Sequence, residues 1–171
     1  MPRLPLTLES PLTQEMREAY ARVTEPESGL PDTFRALFGN PSVAAKMAEL
    51  DEVLGNAGLD RWITLTVALT VAHERNCPAL WDSFEPMARK AGIGNAVIEA
   101  ISSGKGPRGL LPKDGIWVHF ALEMLRNQVR DSTWQAVTHL VGDAGAVSLV
   151  STACYFEMMS RLNSAFALEA A

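Results

Sequence analysis

Apolar residues recur along most of the chain with the 3.6-residue period of α-helices, and glycine, proline and capping residues interrupt them at intervals. The pattern predicts helices at about residues 13–23, 31–38, 41–56, 60–72, 79–92, 95–101, 115–128, 132–142 and 143–166. No run alternates apolar and polar side chains between turn signals, so a β-sheet is not expected. Because no repeat and no linker divides the chain, we expect one all-α domain of eight or nine helices over residues 1–171.

Individual residues predict where three helices begin and where one helix is distorted. Thr13 and Asn40 are suited to cap the helices that follow them, since their side-chain oxygens can accept a free N–H of the first turn. Ser132 and Gln135 have the spacing of a capping box for the eighth helix. Pro86 falls inside the fifth helix, where its missing N–H predicts a kink or a local break.

Two segments stand at opposite extremes of polarity. Residues 63–72 include nothing more polar than threonine on any side of the predicted helix. A helix without a polar face must be buried, either at the centre of the domain or between subunits. Residues 102–115 are rich in glycine, proline and lysine, and this composition predicts a mobile loop.

Composition and charge narrow the classes of partner. Of the 171 residues, 47% are apolar and 20% are charged, which is typical of a compact domain and not of a disordered segment. The net charge of −5 gives no overall attraction to nucleic acid or to anionic lipid. We therefore expect a small-molecule substrate or ligand, with neither nucleic acid nor a membrane as a partner.

The N-terminus and the cysteines indicate a compartment. Pro5 and Thr7 interrupt the first apolar stretch, which therefore lacks the unbroken core of a secretory signal. The apolar segments 63–72 and 144–156 are shorter than the roughly 20 residues that a membrane span needs. The two cysteines stand alone and not in a spaced framework, which is typical of a reducing environment. The expected location is the cytoplasm.

The segment HERNCPALWDSFEPMARKAGIGNAVIEAI, residues 73–101, resembles the carboxymuconolactone decarboxylase-like family, which includes the AhpD-type alkylhydroperoxidases. The features that carry the resemblance are Cys77, Trp81, the run Glu85-Pro86-x-Ala88-Arg89-Lys90-Ala91-Gly92 and the following Ala96-Val97-Ile98-Glu99-Ala100-Ile101. Similar stretches before and after this segment, at 34–41 and 120–166, extend the resemblance to nearly the whole chain. It implies an all-α fold that self-associates as a dimer, trimer or hexamer through long apolar helices.

The chain departs from this family at the positions that carry the chemistry. Family peroxidases use a low-pKa thiolate, a resolving thiol, and a Glu and a His that relay protons. Cys77 keeps the first thiol position, but the resolving position is Leu80, the His position is Phe84 and the upstream Glu position is Leu65. The family decarboxylases use the same His and Glu positions. The resemblance therefore implies that neither ordinary mechanism of the family operates in this chain.

His73 and Cys77 are candidate catalytic residues, each with a structural alternative. His73 lies eight positions after Leu65, about 80° around the helix, and can border the same cavity as a replacement base. Alternatively, it is a hydrogen-bonded histidine at a helix end. Cys77 precedes Pro78, where the N-terminus of the next helix can lower the pKa of the thiol. Alternatively, it is a small buried apolar side chain.

His119 is the third catalytic candidate. Glu123 lies one turn further along the same helix, so the two side chains can meet as an acid/base dyad or as a surface or interface ion pair. The three histidines of the chain do not have metal-ligand spacing, so we expect no metal site, and nothing in the sequence calls for a cofactor.

Apolar and aromatic residues are the candidates for binding a substrate. They are Leu65, Leu80, Trp81, Phe84 and Trp117. Each is also a plausible packing residue, but an aromatic ring at Phe84, where the family keeps His, makes that wall of the pocket apolar. Such a pocket is suited to a flat hydrophobic ligand.

Three hypotheses of function follow. The first is a lyase or isomerase that moves protons on a lactone or aromatic-derived metabolite in a rebuilt, largely apolar pocket. The second is a non-catalytic oligomer that binds a small molecule or is only structural. The third is a thiol peroxidase that pairs Cys77 with Cys154, and the leucine at position 80 argues against it.

Overall fold

A computed structural model of the chain describes residues 1–8 and 10–168. The predicted domain also includes Glu9 and residues 169–171, which lie outside the described residues. The described chain has eight α-helices, one 3₁₀ turn at Pro26–Ser28 and no strand, which confirms the all-α prediction. The helices are α1 (Gln14–Thr24), α2 (Pro31–Leu37), α3 (Pro41–Gly55), α4 (Arg61–Glu74), α5 (Pro78–Lys90), α6 (Asn95–Ser102), α7 (Pro112–Leu125) and α8 (Asp131–Phe166).

Helix α4 lies at the centre of the fold. Every residue from 63 to 72 is buried, and α4 packs against α5, α6, α7 and α8. The prediction of a buried helix is therefore confirmed, and one chain is sufficient to bury it. The reason is that a helix that is apolar on all sides can be covered by four neighbours as well as by another subunit.

Two of the predicted caps are present. The Thr13 hydroxyl accepts a hydrogen bond from the Met16 N–H at 3.2 Å, and Asn40 Oδ1 accepts one from the Val43 N–H at 3.4 Å. At Pro86 the predicted local break is absent, because α5 continues through this residue, and the predicted kink stays a prediction. Because Pro86 has no N–H, the carbonyl of Asp82 lacks its helical donor. Both residues are exposed, so water can donate a hydrogen bond to that carbonyl.

The predicted capping box at Ser132 is wrong. Helix α8 begins at Asp131, and its N-cap, Arg130, makes no capping bond with its own side chain. The carboxylate of Glu123, on α7, accepts the Arg130 N–H instead, at 3.1 Å. A side chain from the preceding helix therefore satisfies a backbone donor at the start of α8.

Helix α7 also differs from its prediction over residues 115–128, since it spans Pro112–Leu125. Pro112 suits the first position of a helix and Asp114 suits its first turn, so the helix begins earlier. Asn127 has a φ of 54°, a left-handed conformation that follows the end of the helix. The remainder of the glycine-rich segment forms turns between α6 and α7, and its mobility stays a prediction.

Helix α8 is divided at Gly142, whose φ of 71° and ψ of 175° are not helical. This agrees with the separate helices predicted before and after residue 142. Among the described residues, α8 is the one helix that length and composition alone would allow to cross a membrane, and buried helices of other proteins pass that test as well. It packs against α2, α3, α4 and α7.

Candidate functional site

Phe84 stands where the carboxymuconolactone decarboxylase-like family keeps its catalytic His, and its ring packs against another aromatic ring. Phe84 is buried, and its ring meets that of Phe156 edge to face, with centroids 5.2 Å apart. Leu65 and Leu80 are fully buried in the same hydrophobic core. Phe84 nevertheless borders a cavity of about 90 Å³ that reaches from α5 to α3, α4 and α8.

An aspartate and a tyrosine line this cavity and contact each other. Asp51 projects from α3 and Tyr155 from α8, and the phenol donates a hydrogen bond to Asp51 Oδ1 at 2.8 Å. Tyr155 is buried, with its ring against Phe156. Arg61, an exposed residue at the start of α4, also lines the cavity.

Burial sets the electrostatics of this pair. Desolvation raises the pKa of Asp51 above its ordinary value, although the Tyr155 hydroxyl and the Arg22 and Arg61 guanidiniums act in the opposite direction. Burial, with the adjacent Asp51 carboxylate, raises the pKa of Tyr155 so far that the phenol keeps its proton at any physiological pH. The pair therefore combines a carboxylate of increased basicity with a permanent hydrogen-bond donor.

A third polar group in this cavity has no partner. The hydroxyl oxygen of Thr152, one turn before Tyr155 on α8, is buried and makes no hydrogen bond within the described part of the chain. An unpaired buried hydroxyl is destabilising unless something else meets it. The Thr152 hydroxyl therefore lies buried in the wall of the cavity that the Asp51–Tyr155 pair also lines, without a partner among the described residues.

Sequence reasoning did not identify Asp51, Thr152 or Tyr155. Asp51 stands in the acidic stretch 49–52 and resembles a solvated surface residue, whereas the other two lie in an apolar run. The available signal was Tyr155 itself, because a buried tyrosine hydroxyl usually needs a hydrogen-bond partner. No sequence spacing identifies that partner, which is 104 positions away.

His119 and Glu123 do meet, as predicted, with 2.9 Å between Nε2 and Oε1. Glu123 is almost fully buried and also accepts hydrogen bonds from the backbone N–H and the guanidinium of Arg130. Burial opposes the ionisation of Glu123, but these bonds, a hydrogen bond from Thr133 and the electrostatic attraction of His119 prevail and lower its pKa. The carboxylate thus joins the end of α7 to the start of α8.

His119 and Glu123 line a polar cavity of about 440 Å³ that is separate from the one at Phe84. The glycine-rich turn 104–107 forms another part of its wall, with Lys105 and Arg126 as further cations. The Arg130 guanidinium contacts His119 Nε2, and Arg130 also pairs with Glu123. The histidine is therefore held within a network that also holds two helices together.

His73 and Cys77 lie at the junction between α4 and α5. The His73 ring is half-buried, with its centroid 6.5 Å from that of Trp81, and its Nε2 lies close to Gly104. Cys77 is 8% exposed, its N–H donates to the Ala72 carbonyl, and its thiol is free. Neither residue lines the cavity at Phe84 or the polar cavity at His119.

Trp117 lies apart from the other predicted binding residues. It lines a third cavity, of about 440 Å³, together with Trp62. The predicted site residues are thus dispersed among the core, the α4–α5 junction and three cavities, and their roles stay predictions. No group of three or more His, Cys, Asp or Glu side chains in the described ranges could hold a metal ion.

Comparisons with protein-family models, with curated proteins and with solved structures found no match to this chain. The resemblance of residues 73–101 to the carboxymuconolactone decarboxylase-like family therefore rests on the residues quoted above. The helical architecture is consistent with that family's fold class but does not identify the family.

Proposed function

We propose that the protein is a small-molecule lyase or isomerase that moves a proton at the cavity bordered by Phe84. The observation that carries the proposal is the partly buried Asp51–Tyr155 hydrogen bond, 2.8 Å long, on the wall of that cavity. A half-buried carboxylate with a raised pKa is suited to act as a general base, because it accepts a proton from a weak carbon acid more readily than a fully solvated one.

The reaction proceeds by removal of a proton next to a carbonyl. Asp51 takes the proton, and the electron pair of the broken C–H bond moves toward the carbonyl oxygen to form an enolate. Rotation of the Thr152 side chain brings its hydroxyl, which is buried and has no partner within the described residues, into the cavity, where it donates a hydrogen bond to that oxygen as its charge develops. Tyr155 holds the Asp51 carboxylate in place. An isomerase then returns the proton to a different carbon, and a lyase expels a leaving group from the β carbon.

The cavity also indicates the substrate class. Its volume of about 90 Å³ suits a small reacting group, and Phe84 and Phe156 make one wall apolar. Arg61 lies on the exposed side and can pair with a carboxylate of the substrate. Small lactones and 2-oxo acids, including those derived from aromatic compounds, combine these features.

Exchange of carbon-bound protons tests the proposal. A panel of γ-lactones and 2-oxo acids is incubated with the protein in D₂O, and loss of the C–H signal next to the carbonyl is followed by NMR. We expect exchange of at least one compound, a decrease of about 100-fold or more in Asp51→Asn, and a smaller decrease in Thr152→Val. His139→Gln, at an exposed residue outside this cavity, is the control. Absence of exchange from the whole panel, or exchange unchanged in Asp51→Asn, contradicts the proposal.

Self-association and location complete the proposal. Exposed apolar side chains, Val43 and Val53 on α3 and Leu140 and Val147 on α8, support association with further copies of the chain as a dimer, trimer or hexamer. Light scattering coupled to size-exclusion chromatography measures that number directly. The cytoplasm stays our expected location, and fractionation of cells that produce the protein tests it.

A further inference from the structure

The outer face of α8 is apolar, and the described part of the chain does not cover it. No charged residue lies between Asp143 and Glu157. Only 28% of the 18-residue stretch that makes α8 apolar enough to cross a membrane is buried. Val147 is 63% exposed, and Cys154, two turns further along, is exposed as well. Apolar faces of this length are rarely left to solvent, so we expect a second surface to cover this one.

The positions on this face repeat as they do in a contact between two helices. Residues 144, 147, 151, 154 and 158 are separated by alternating steps of three and four, which places them in one line along α8. They are Ala144, Val147, Ser151, Cys154 and Met158, and we call them the outer seam. Leu149, Ala153 and Phe156 project from the opposite side of the helix into the core. A second helix fits such a seam, because this spacing lets the side chains of two helices interdigitate.

The two halves of the outer seam have complementary shapes. An open groove of about 510 Å³ runs along the C-terminal half, where residues between Cys154 and Ala165 line it. From the N-terminal half, Val147 projects into solvent. Because one helix carries both the ridge and the groove, a second copy of that helix can fill the groove and offer its own groove in return.

We propose that two copies of the chain associate through their outer seams, with the two α8 helices antiparallel about a two-fold axis at the level of residues 152 and 153. Val147 of each copy then enters the groove beside the partner's Met158, and Ser151 lies opposite the partner's Cys154. Every contact is made twice, as in any two-fold interface. The proposal rests on the self-association proposed above and specifies its surface. It does not depend on proton transfer, because no residue of the outer seam lines the Phe84 cavity.

Two charges at the ends of the outer seam determine the relative direction of the helices. Asp143 and Arg161 are about five helical turns apart, so they lie on the same side of α8 with about 27 Å between them. Asp143 is exposed and makes no ion pair within the described residues. Arg161 pairs with Glu157 through Nη2 at 3.0 Å and has further N–H donors. Antiparallel helices bring each Asp143 to the partner's Arg161, whereas parallel helices would place like charges together.

Sedimentation velocity of the full chain measures how many copies associate. We expect an even number of copies in the wild-type particle. Val147→Asp should halve that number, because it places an unpaired charge in the contact twice. Leu111→Asp, at an apolar residue before α7 that is 62% exposed, is the matched control and should leave the number unchanged. Thermal melting checks that both variants are folded.

Charge reversal tests the direction of the helices. Asp143→Arg and Arg161→Asp each bring like charges together at both ends of an antiparallel contact, so each should raise the Kd of association about tenfold or more. The double variant restores both opposite pairs and should return the Kd to within about threefold of the wild-type value. In a parallel contact like charges face each other in every one of these variants, so no such recovery occurs.

Three results would overturn the proposal. The first is a monomer, or an odd number of copies, in the wild-type protein. The second is an equal effect of Val147→Asp and Leu111→Asp, or a double charge variant that associates no better than the single variants. The third is binding of the wild-type protein to phosphatidylcholine vesicles that Val147→Asp abolishes, which would mean that a membrane covers the outer seam. Asp51→Asn should leave the number of copies unchanged, so this test and the test of proton transfer can fail separately.

Discussion

The phenol of Tyr155 donates a hydrogen bond to Asp51 Oδ1 over 2.8 Å and thereby joins α8 to α3. The contact places a carboxylate where burial disfavours its charge. A structural tether has no need of a charged group at that point, because a neutral acceptor would serve Tyr155 as well. The free-energy cost of keeping the charge supports the acid/base function that we propose.

Asp51→Asn should therefore increase stability while it abolishes proton transfer. The pKa of Asp51 in the folded chain is above its unfolded value, so ionisation opposes folding at neutral pH, and this effect disappears as the pH falls below about 4. Asparagine can still accept the Tyr155 hydrogen bond. We expect the Tm at pH 7 to rise by about 2–4 °C, as about 1 kcal/mol gives in a domain of this size, and the gain to shrink in acid.

Tyr155→Phe is the matched variant and should have the opposite effect. It leaves the half-buried Asp51 carboxylate without its donor, which should lower stability by about 1–3 kcal/mol in urea unfolding. If the Tm of Asp51→Asn decreases as much as the Tm of Tyr155→Phe, the hydrogen bond only holds α3 to α8.

Glu123→Gln should destabilise the junction of α7 and α8. The pKa of Glu123 is lowered in the folded chain, so its charge contributes stability above the unfolded pKa of about 4.5, and that contribution is lost as the pH falls through the folded value. We expect the variant to be less stable by about 1–3 kcal/mol at pH 7 and the difference to narrow below pH 4. The exposed Glu27→Gln is the control, and an equal loss there would refute the argument.

Gly142→Ala tests the division of α8. The φ of 71° and ψ of 175° at Gly142 belong to a region that only glycine adopts without strain, although an added Cβ would meet no atom within 4 Å. We expect a loss of about 1–3 kcal/mol in denaturant unfolding from backbone strain alone. Gly55→Ala, also in open space but at the end of α3 without a positive φ, should be neutral or stabilising by up to about 1 kcal/mol. Similar results for both variants would contradict this difference.

The two free thiols should react at different rates. Cys154 is exposed, whereas Cys77 is 8% exposed beneath the junction of α4 and α5. With an aromatic disulfide reagent under native conditions, in protein diluted until α8 contacts between copies dissociate, we expect one thiol to react rapidly and the second to react only on unfolding. Cys154→Ser should remove the rapid phase. Rapid reaction of Cys77 together with peroxide consumption that Cys77→Ser abolishes would restore the thiol peroxidase hypothesis.

Local chemistry was sufficient to predict much of the fold. The caps at Thr13 and Asn40, the burial of residues 63–72 and the interruption at Gly142 follow from side chains within one or two helical turns. The contact of His119 with Glu123 belongs to the same class, because it is set by the geometry of a single helix. These features depend on residues that are close in sequence, so the residue pattern is sufficient to predict them.

The features that sequence did not predict are contacts between helices from distant parts of the chain. Helix packing brings Asp51 to Tyr155, 104 positions later. It also places Glu123 at the start of α8, where the carboxylate, and not Ser132, accepts the Arg130 N–H. It also put Phe84 and Trp117, predicted to share a pocket, on separate cavities at opposite faces of α4. Local sequence was therefore sufficient to predict which helices form and which helix is buried. The partners of buried polar groups depend on how those helices pack, because a buried donor pairs with whatever acceptor the packing brings within about 3 Å.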